Sequence, residues 1–72
     1  MNEELDKRIS IDLKICHGKP CIRGTRISVQ HILELLEAGE KIKGLLKMYP
    51  HITKKDILAC IRYARKLVEA VA

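Results

Sequence analysis

The sequence predicts a mainly α-helical fold that is α+β at its N-terminus, with one short β-hairpin before three helices. Its 72 residues leave room for a single domain, residues 1–72. The chain has no Phe, no Trp and two Tyr, so its core must be aliphatic, which suits packed helices. Apolar residues alternate in short runs before residue 28 and recur at helical spacing after it. These observations favour a hairpin followed by a helical domain.

The hairpin, or pair of strands, is predicted within residues 8–27. Residues 9–13 alternate between apolar and polar, and Cys21-Ile22 forms a second short apolar run. His17-Gly18-Lys19-Pro20 lies between the two runs and is rich in turn-forming residues. Because such short strands are marginal alone, we expect them to lie on another surface.

The first helix after the hairpin is predicted over residues 28–38. Ser28 is a favourable N-cap, because its hydroxyl accepts a hydrogen bond from a free amide of the first turn. Gly39 stands just past the end, where helices commonly place a left-handed residue. The apolar residues between them follow helical spacing: Val29, Ile32, Leu33 and Leu36.

A short second helix is predicted over residues 41–48. Pro50 ends it and biases the preceding residue away from helical angles. Gly44 costs about 1 kcal/mol relative to alanine, so this helix depends on its neighbours for stability. One face carries the apolar residues Ile42, Leu45, Leu46 and Tyr49.

The last helix is predicted over residues 53–70. Thr53-Lys54-Lys55-Asp56 is a capping-box pattern with Asp in place of Glu or Gln. Spacings of three and four predict a core seam formed by Ile57, Ile61, Ala64, Val68 and Val71. The opposite side is predicted to carry Lys55, Ala59, Arg62 and Lys66. The helix is thus expected to have one core face and one basic face.

Positive charge is concentrated in the C-terminal segment. The formal charge is +1 over residues 1–25, −2 over residues 26–40 and +6 over residues 41–72. A phosphate-binding surface requires such a field, although a solvated lysine-rich helix face gives the same count.

The last two helices are joined by the tight connection Pro50-His51-Ile52-Thr53, as in a homeodomain-like helix-turn-helix. In that motif the second helix enters the DNA major groove. The alternative is a three-helix bundle with a solvated basic face. If the chain binds double-stranded DNA, we expect the contacts to come from Lys54, Lys55, Arg62, Lys43 and Lys47, with Lys66 on the backbone.

Composition and motifs argue against several other functions. The scarcity of aromatic residues disfavours single-stranded nucleic acid, whose bases stack on aromatic rings. The interruption of apolar segments by charge disfavours a membrane span. An acidic N-terminus without a following apolar run lacks the pattern of a signal peptide, so we expect a cytoplasmic protein.

Neither catalysis nor a bound metal or cofactor is expected. Cys16, His17 and Cys21, with His51 and Cys60 further along the chain, have the chemistry of zinc ligands. The spacing fits poorly, because His51 and Cys60 would have to come as single residues from unrelated elements. Gly18-Lys19 lacks the rest of a phosphate-binding loop. The three cysteines are therefore interpreted as reduced, with Cys21 and Cys60 as small buried apolar residues.

The segment from Gly18 to Ile27 reads Gly-Lys-Pro-Cys-Ile-Arg-Gly-Thr-Arg-Ile. It resembles the Gly-Lys-Pro-x-Ile-x-Gly-Thr-Arg-Ile signature of the family known as domain of unknown function 433. The resemblance continues through residues 29–40 and through the turn at residues 49–53 into Asp56-Ile57-Leu58. It covers about residues 8–66, and its two signature segments occur in the expected order.

This resemblance implies a small helix-turn-helix antitoxin of a type II toxin–antitoxin pair, of the VapB type. Such antitoxins typically form homodimers, bind a PIN-like nuclease toxin and repress their own operon. The chain departs from the family pattern at Leu13, where Pro is frequent, and at Lys41, Lys43 and Gly44. The second helix is therefore less well capped and more basic than is usual in the family.

Arg23 and Arg26, with Lys19, are the candidate partner-binding residues. Arginine forms bidentate bonds to carboxylates, so these side chains suit the acidic metal site of a PIN-like nuclease. The alternative is a role in the fold, for instance an ion pair between Arg26 and Glu34 or Glu37. Gly18, Gly24 and Thr25 are expected to shape the turns of this segment.

A rival interpretation is a protein-interaction or dimerisation module that does not bind DNA. In this interpretation the last helix or the N-terminal strands form a homodimer, and the basic face binds only an acidic partner.

Overall fold

The computed structural model of the chain describes residues 3–71. The prediction of a mainly α-helical fold with an N-terminal hairpin is confirmed. The elements, in chain order, are α1 (Glu3–Asp6), β1 (Ile9–Ser10), a 3-10 turn (Cys16–Gly18), β2 (Cys21–Ile22), α2 (Val29–Glu37), α3 (Ile42–Met48) and α4 (Lys54–Val71). Within this part of the chain, no helix has the length and apolarity needed to cross a membrane.

The strands β1 and β2 pair antiparallel, with Ile9 opposite Ile22 and Ser10 opposite Cys21. The sequence predicts alternating apolar and polar residues as far as Leu13, but β1 ends at Ser10 and Leu13 is 86% exposed. The cause is a local turn: the Asp12 carboxylate accepts a hydrogen bond from the amide of Lys14 at 2.8 Å. A hydrogen bond from the amide two positions later to an Asp side chain forms a local turn, and this turn directs the chain away from β1.

Both ends of α2 are capped as the sequence predicts. The Ser28 hydroxyl accepts a hydrogen bond from the amide of His31 at 3.0 Å. At the C-terminal end, Gly39 has a φ of 97°. The amides of Gly39 and Glu40 donate to the carbonyls of Leu36 and Leu35, both at 3.0 Å. This is the Schellman arrangement, which satisfies the last carbonyls of a helix.

The turn between α3 and α4 is closed by the predicted capping box. The amide of Thr53 donates to Asp56 Oδ2 at 2.9 Å, and the amide of Asp56 donates to Thr53 Oγ1 at 3.3 Å. Ile52, within the turn, is buried against the core. The turn is therefore fixed both by hydrogen bonds and by an apolar anchor.

The core lies where the hairpin and the three longer helices meet. Helix α4 packs against α1, α2, α3 and β1. Each of these elements except α1 contributes to one apolar cluster, and β2 adds Ile22. The fully buried side chains of this cluster include Ile22, Ile32, Leu45, Ile57 and Cys60.

The buried face of α4 is rotated from the predicted seam. Ile57 is fully buried as expected, but Ile61 is 41% exposed, whereas Cys60 is fully buried. The cause is that α1 and β1 pack on the side of Ala59, which turns the core face away from Ile61. Val68 and Val71, which the sequence places in the seam, are 69% and 88% exposed and lie outside the core.

Helix α1 is not predicted by the sequence analysis. Because α1 packs against α4, the prediction that Ala59 lies on an open basic face is wrong. This residue is 1% exposed, although it was placed among the basic residues of an open face. Its small side chain lets α1 and β1 approach α4 closely, so its role is in packing rather than at an outer surface.

Candidate nucleic-acid interface

Three exposed lysines lie on the two helices that flank the turn between α3 and α4. Lys43 and Lys47 are four residues apart on α3 and share one face, and Lys54 is the first residue of α4. All three side chains are exposed. Within residues 3–71, none of them forms an ion pair with a carboxylate. Their charge therefore stays available to an anionic ligand.

The other three candidate DNA-binding residues face α1. Lys55 Nζ lies 3.2 Å from Glu4 Oε1. Arg62 Nε lies 2.8 Å from Asp6 Oδ1, and Lys66 Nζ lies 3.5 Å from Asp6 Oδ2. The structure thus divides the predicted basic surface into an open set around the turn and a set paired with acidic residues.

These ion pairs shift the titration of the acidic residues of α1. The hydrogen bond from Arg62 lowers the pKa of the Asp6 carboxyl below its ordinary value. The hydrogen bond from Arg8, followed by that from Lys55, lowers the pKa of the Glu4 carboxyl. Both carboxylates are therefore ionised at neutral pH and attract the cations of α4.

Arg8 connects α1 to the start of α4. Its Nη2 donates to Glu4 Oε1 and its Nη1 to Asp56 Oδ1, both at 2.9 Å. Asp56 is the one buried charged residue among those the structure describes, at 8% exposure. Sequence reasoning missed Glu4, Asp6 and Arg8, because their partners lie as many as 56 positions away. The only available signal was the acidic N-terminus in a chain with a basic C-terminal half.

The three candidate partner-binding residues differ in how they are engaged. Arg23 Nε donates to the carbonyl of Lys7 at 2.5 Å, and Arg23 Nη2 donates to that of Ile9 at 3.3 Å. Arg23 therefore braces the chain around β1. Arg26 and Lys19 are exposed, and within residues 3–71 neither forms an ion pair.

The turns of this segment have the expected geometry. Gly18 and Gly24 have φ values of 82° and 81°. The Thr25 hydroxyl donates to the carbonyl of Ile22 at 2.8 Å and accepts from the amide of Ile27 at 3.0 Å. These residues hold Arg23 and Arg26 on a rigid turn.

Two of the three cysteines, Cys21 and Cys60, are buried in the interior of the protein. Burial raises the pKa of Cys21 to about 11 and that of Cys60 to about 12. Cys16 is half-buried, and its Sγ lies 3.1 Å from the carbonyl oxygen of Arg26. Among the residues that the structure describes, no three potential metal-ligating side chains cluster together. Cys21 and Cys60 pack as small apolar side chains.

An open apolar groove lies between α2 and α4, away from the lysines of the turn. Its volume is about 650 Å³. Glu34 and Glu37 are among its polar lining residues, and the apolar ones include Val29, Leu33, Ala64 and Leu67. Leu67 is the lining residue nearest the C-terminal end of α4.

Comparison with known proteins places this architecture in a family. The model of the family described as "Protein of unknown function (DUF433)" matches residues 9–64. The chain belongs to the DUF433 family. No protein with a curated description matches the chain.

A crystal structure at 2.00 Å resolution of a DUF433 member protein from Anabaena variabilis ATCC 29413 is similar to this chain. The TM-score is 0.82 at 32% sequence identity, over 96% of this chain and 68% of that chain. The DUF433 match includes the hairpin, the capped turn and the open lysines. Glu4 and Asp6 precede the matched residues, so the acidic partners of α4 lie outside the match.

Proposed function

We propose that this DUF433 protein is a DNA-binding antitoxin. In this proposal the α3–turn–α4 unit binds the promoter of its own operon, and another surface neutralises a PIN-like ribonuclease. The observation that carries the DNA-binding part is the set of three exposed lysines around the turn, Lys43, Lys47 and Lys54, which have no carboxylate partner within residues 3–71.

The arrangement of these lysines suits a phosphate backbone. Lysine binds phosphate as a compact charge on a flexible stem, so it adapts to the curve of a duplex. Lys43 and Lys47 lie about one helical turn apart, about 6 Å along α3, so both can contact the same stretch of phosphate backbone. Lys54 adds a third contact at the start of α4, the end that enters the major groove in helix-turn-helix proteins.

The toxin-binding part of the proposal rests on the family resemblance and on two exposed cations. Lys19 directly follows the 3-10 turn, and Arg26 lies in the turn after β2. Arg26 suits a carboxylate cluster, since its guanidinium offers two parallel donors. Arg23 supports the same segment through its bonds to the backbone of β1 and the preceding turn.

The test is a titration of the purified protein against its own promoter duplex and a scrambled duplex, at about 50 and 200 mM salt, with light scattering for mass. The variant Lys43→Glu/Lys47→Glu removes two open lysines. The variant Lys14→Glu/Lys19→Glu makes the same change of charge at two exposed positions in the loop between β1 and β2.

We expect a wild-type dimer that prefers its promoter and binds it less tightly as salt increases. Lys43→Glu/Lys47→Glu should weaken binding by tenfold or more relative to the matched control, with a logarithmic salt slope reduced by ~2. Equal losses in the two variants would mean that net charge alone drives binding. Absence of binding at low salt would reject the DNA-binding part.

A protein-interaction module without DNA binding is the second candidate. The observation that favours it is the exposed apolar end of α4, where Leu67, Val68 and Val71 are 54%, 69% and 88% exposed. An unpartnered apolar surface of this kind marks interaction sites. A stable dimer that binds no duplex at low salt would support this candidate.

A further inference from the structure

The acidic residues of α1 lie against one side of α4. Each of two carboxylates pairs with two cations: Glu4 with Arg8 and Lys55, and Asp6 with Arg62 and Lys66. The nitrogen–oxygen distances range from 2.8 to 3.5 Å. Three of the four cations belong to the basic surface that the sequence assigns to DNA.

Asp6 binds Arg62 through both of its oxygens. Arg62 Nε donates to Oδ1 at 2.8 Å and Nη2 donates to Oδ2 at 3.4 Å. Arginine presents the same two donors to a phosphate. The carboxylate of Asp6 therefore occupies the donors that a DNA phosphate requires, and both anions cannot use them together.

We propose that α1 is an intramolecular competitor of DNA, which holds Lys55, Arg62 and Lys66 until a nucleic acid displaces it. This inference rests on the proposed function, since it concerns the regulation of the same DNA-binding surface. The proposal assigns different roles to the open lysines and to the cations that pair with α1. The open lysines make the first contacts, and the covered cations join when α1 is released.

The construction of α1 suits a displaceable contact. The helix has four residues, and none of them is buried. A helix of this length has no stability of its own in water, so its position depends on the rest of the chain: on its packing against α4 around Ala59 and on the ion pairs to α4 and Arg8. Exposed ion pairs contribute little and are screened by salt. A duplex, whose charges are dense, can therefore replace the two carboxylates.

The variant Glu4→Gln/Asp6→Asn tests this competition, because it keeps the shape of both side chains and removes their charge. The control Glu34→Gln/Glu37→Gln makes the same change of net charge on α2, away from the face that α1 covers. Affinity for the promoter duplex is measured at about 50 and 200 mM salt. The ¹⁵N signal of the Arg62 Nε–H group is followed during each titration.

We expect Glu4→Gln/Asp6→Asn to bind about tenfold more tightly than the control at low salt, a typical size for coupling between two sites. In the wild type, DNA should shift the Arg62 Nε–H signal. The single variant Asp6→Asn should give part of the gain, and circular dichroism shows whether each variant is folded.

Two results separate the failure of this inference from that of the proposed function. If wild type, variant and control all bind, and the variant gains no more than the control, α1 is only a structural brace and the inference is wrong. If none of the proteins binds either duplex at low salt, the DNA-binding function itself is rejected and the inference with it.

Discussion

Arg8 Nη1 donates a hydrogen bond of 2.9 Å to Asp56 Oδ1, across 48 positions of the chain. The other oxygen of the same carboxylate accepts from the amide of Thr53 at 2.9 Å. One buried carboxylate thus caps α4 and anchors the segment before β1. The start of the helix-turn-helix unit and the N-terminal segment therefore depend on each other.

Replacement of Asp56 by alanine should lower the free energy of unfolding. Loss of the cap alone costs about 1 kcal/mol, and the loss of the Arg8 partner adds to it. Asp56→Asn should lose less, because its amide oxygen can still accept from Thr53. Urea unfolding measures both variants. An Asp56→Ala protein as stable as the wild type would contradict this role.

Two glycines should respond in opposite directions to alanine. Gly39 has a φ of 97°, so Gly39→Ala should destabilise the protein by about 1 kcal/mol. Gly44 lies inside α3, where an added Cβ meets only the flexible Glu40 carboxylate at 2.9 Å. Gly44→Ala should therefore stabilise the protein by about 0.5 to 1 kcal/mol. Thermal unfolding of the two variants provides the comparison, and a loss of stability in Gly44→Ala would show that Glu40 cannot move.

The contacts of α1 should weaken at acid pH. The pKa values of Glu4 and Asp6 are lowered in the folded protein by Arg8, Lys55 and Arg62. Their stabilisation is therefore present above the ordinary carboxyl pKa of ~4 and is lost as pH falls through the lower folded values.

Thermal melts of wild type and Glu4→Gln/Asp6→Asn measure this effect. The difference in Tm should be largest near neutral pH and should shrink below about pH 4, since both proteins then carry uncharged side chains at these positions. A difference that does not change with pH would show that the carboxylate charges have no part in it.

The three thiols should differ in reactivity. Burial raises the pKa of Cys21 to about 11 and that of Cys60 to about 12, so both stay protonated and shielded at about pH 8. Cys16 is the most accessible of the three cysteines. Brief alkylation with iodoacetamide should add one label, located by mass spectrometry at Cys16. Cys16→Ser should remove it, and denaturant should expose the other two thiols. Rapid labelling of Cys60 in the folded protein would contradict the packing of α4.

The local elements could be predicted because their signals lie within a few residues of the structure they determine. The Ser28 cap and the Gly39 end of α2 each act within one turn of the chain. The Thr53 and Asp56 capping box is equally local. The spacing of Lys43 and Lys47 along α3 is local in the same sense, but their freedom from carboxylates within residues 3–71 follows from how the chain packs.

The sequence by itself determined the order of the hairpin and the three longer helices, the caps of α2 and of the start of α4, and the basic character of the C-terminal half. Only the tertiary structure decided that Ile61 lies outside the core, because the packing of α1 and β1 sets the rotation of α4. It also decided which cations are covered. The pair of Asp6 and Arg62 joins residues 56 positions apart, and no local pattern records a contact that exists only after the chain has packed.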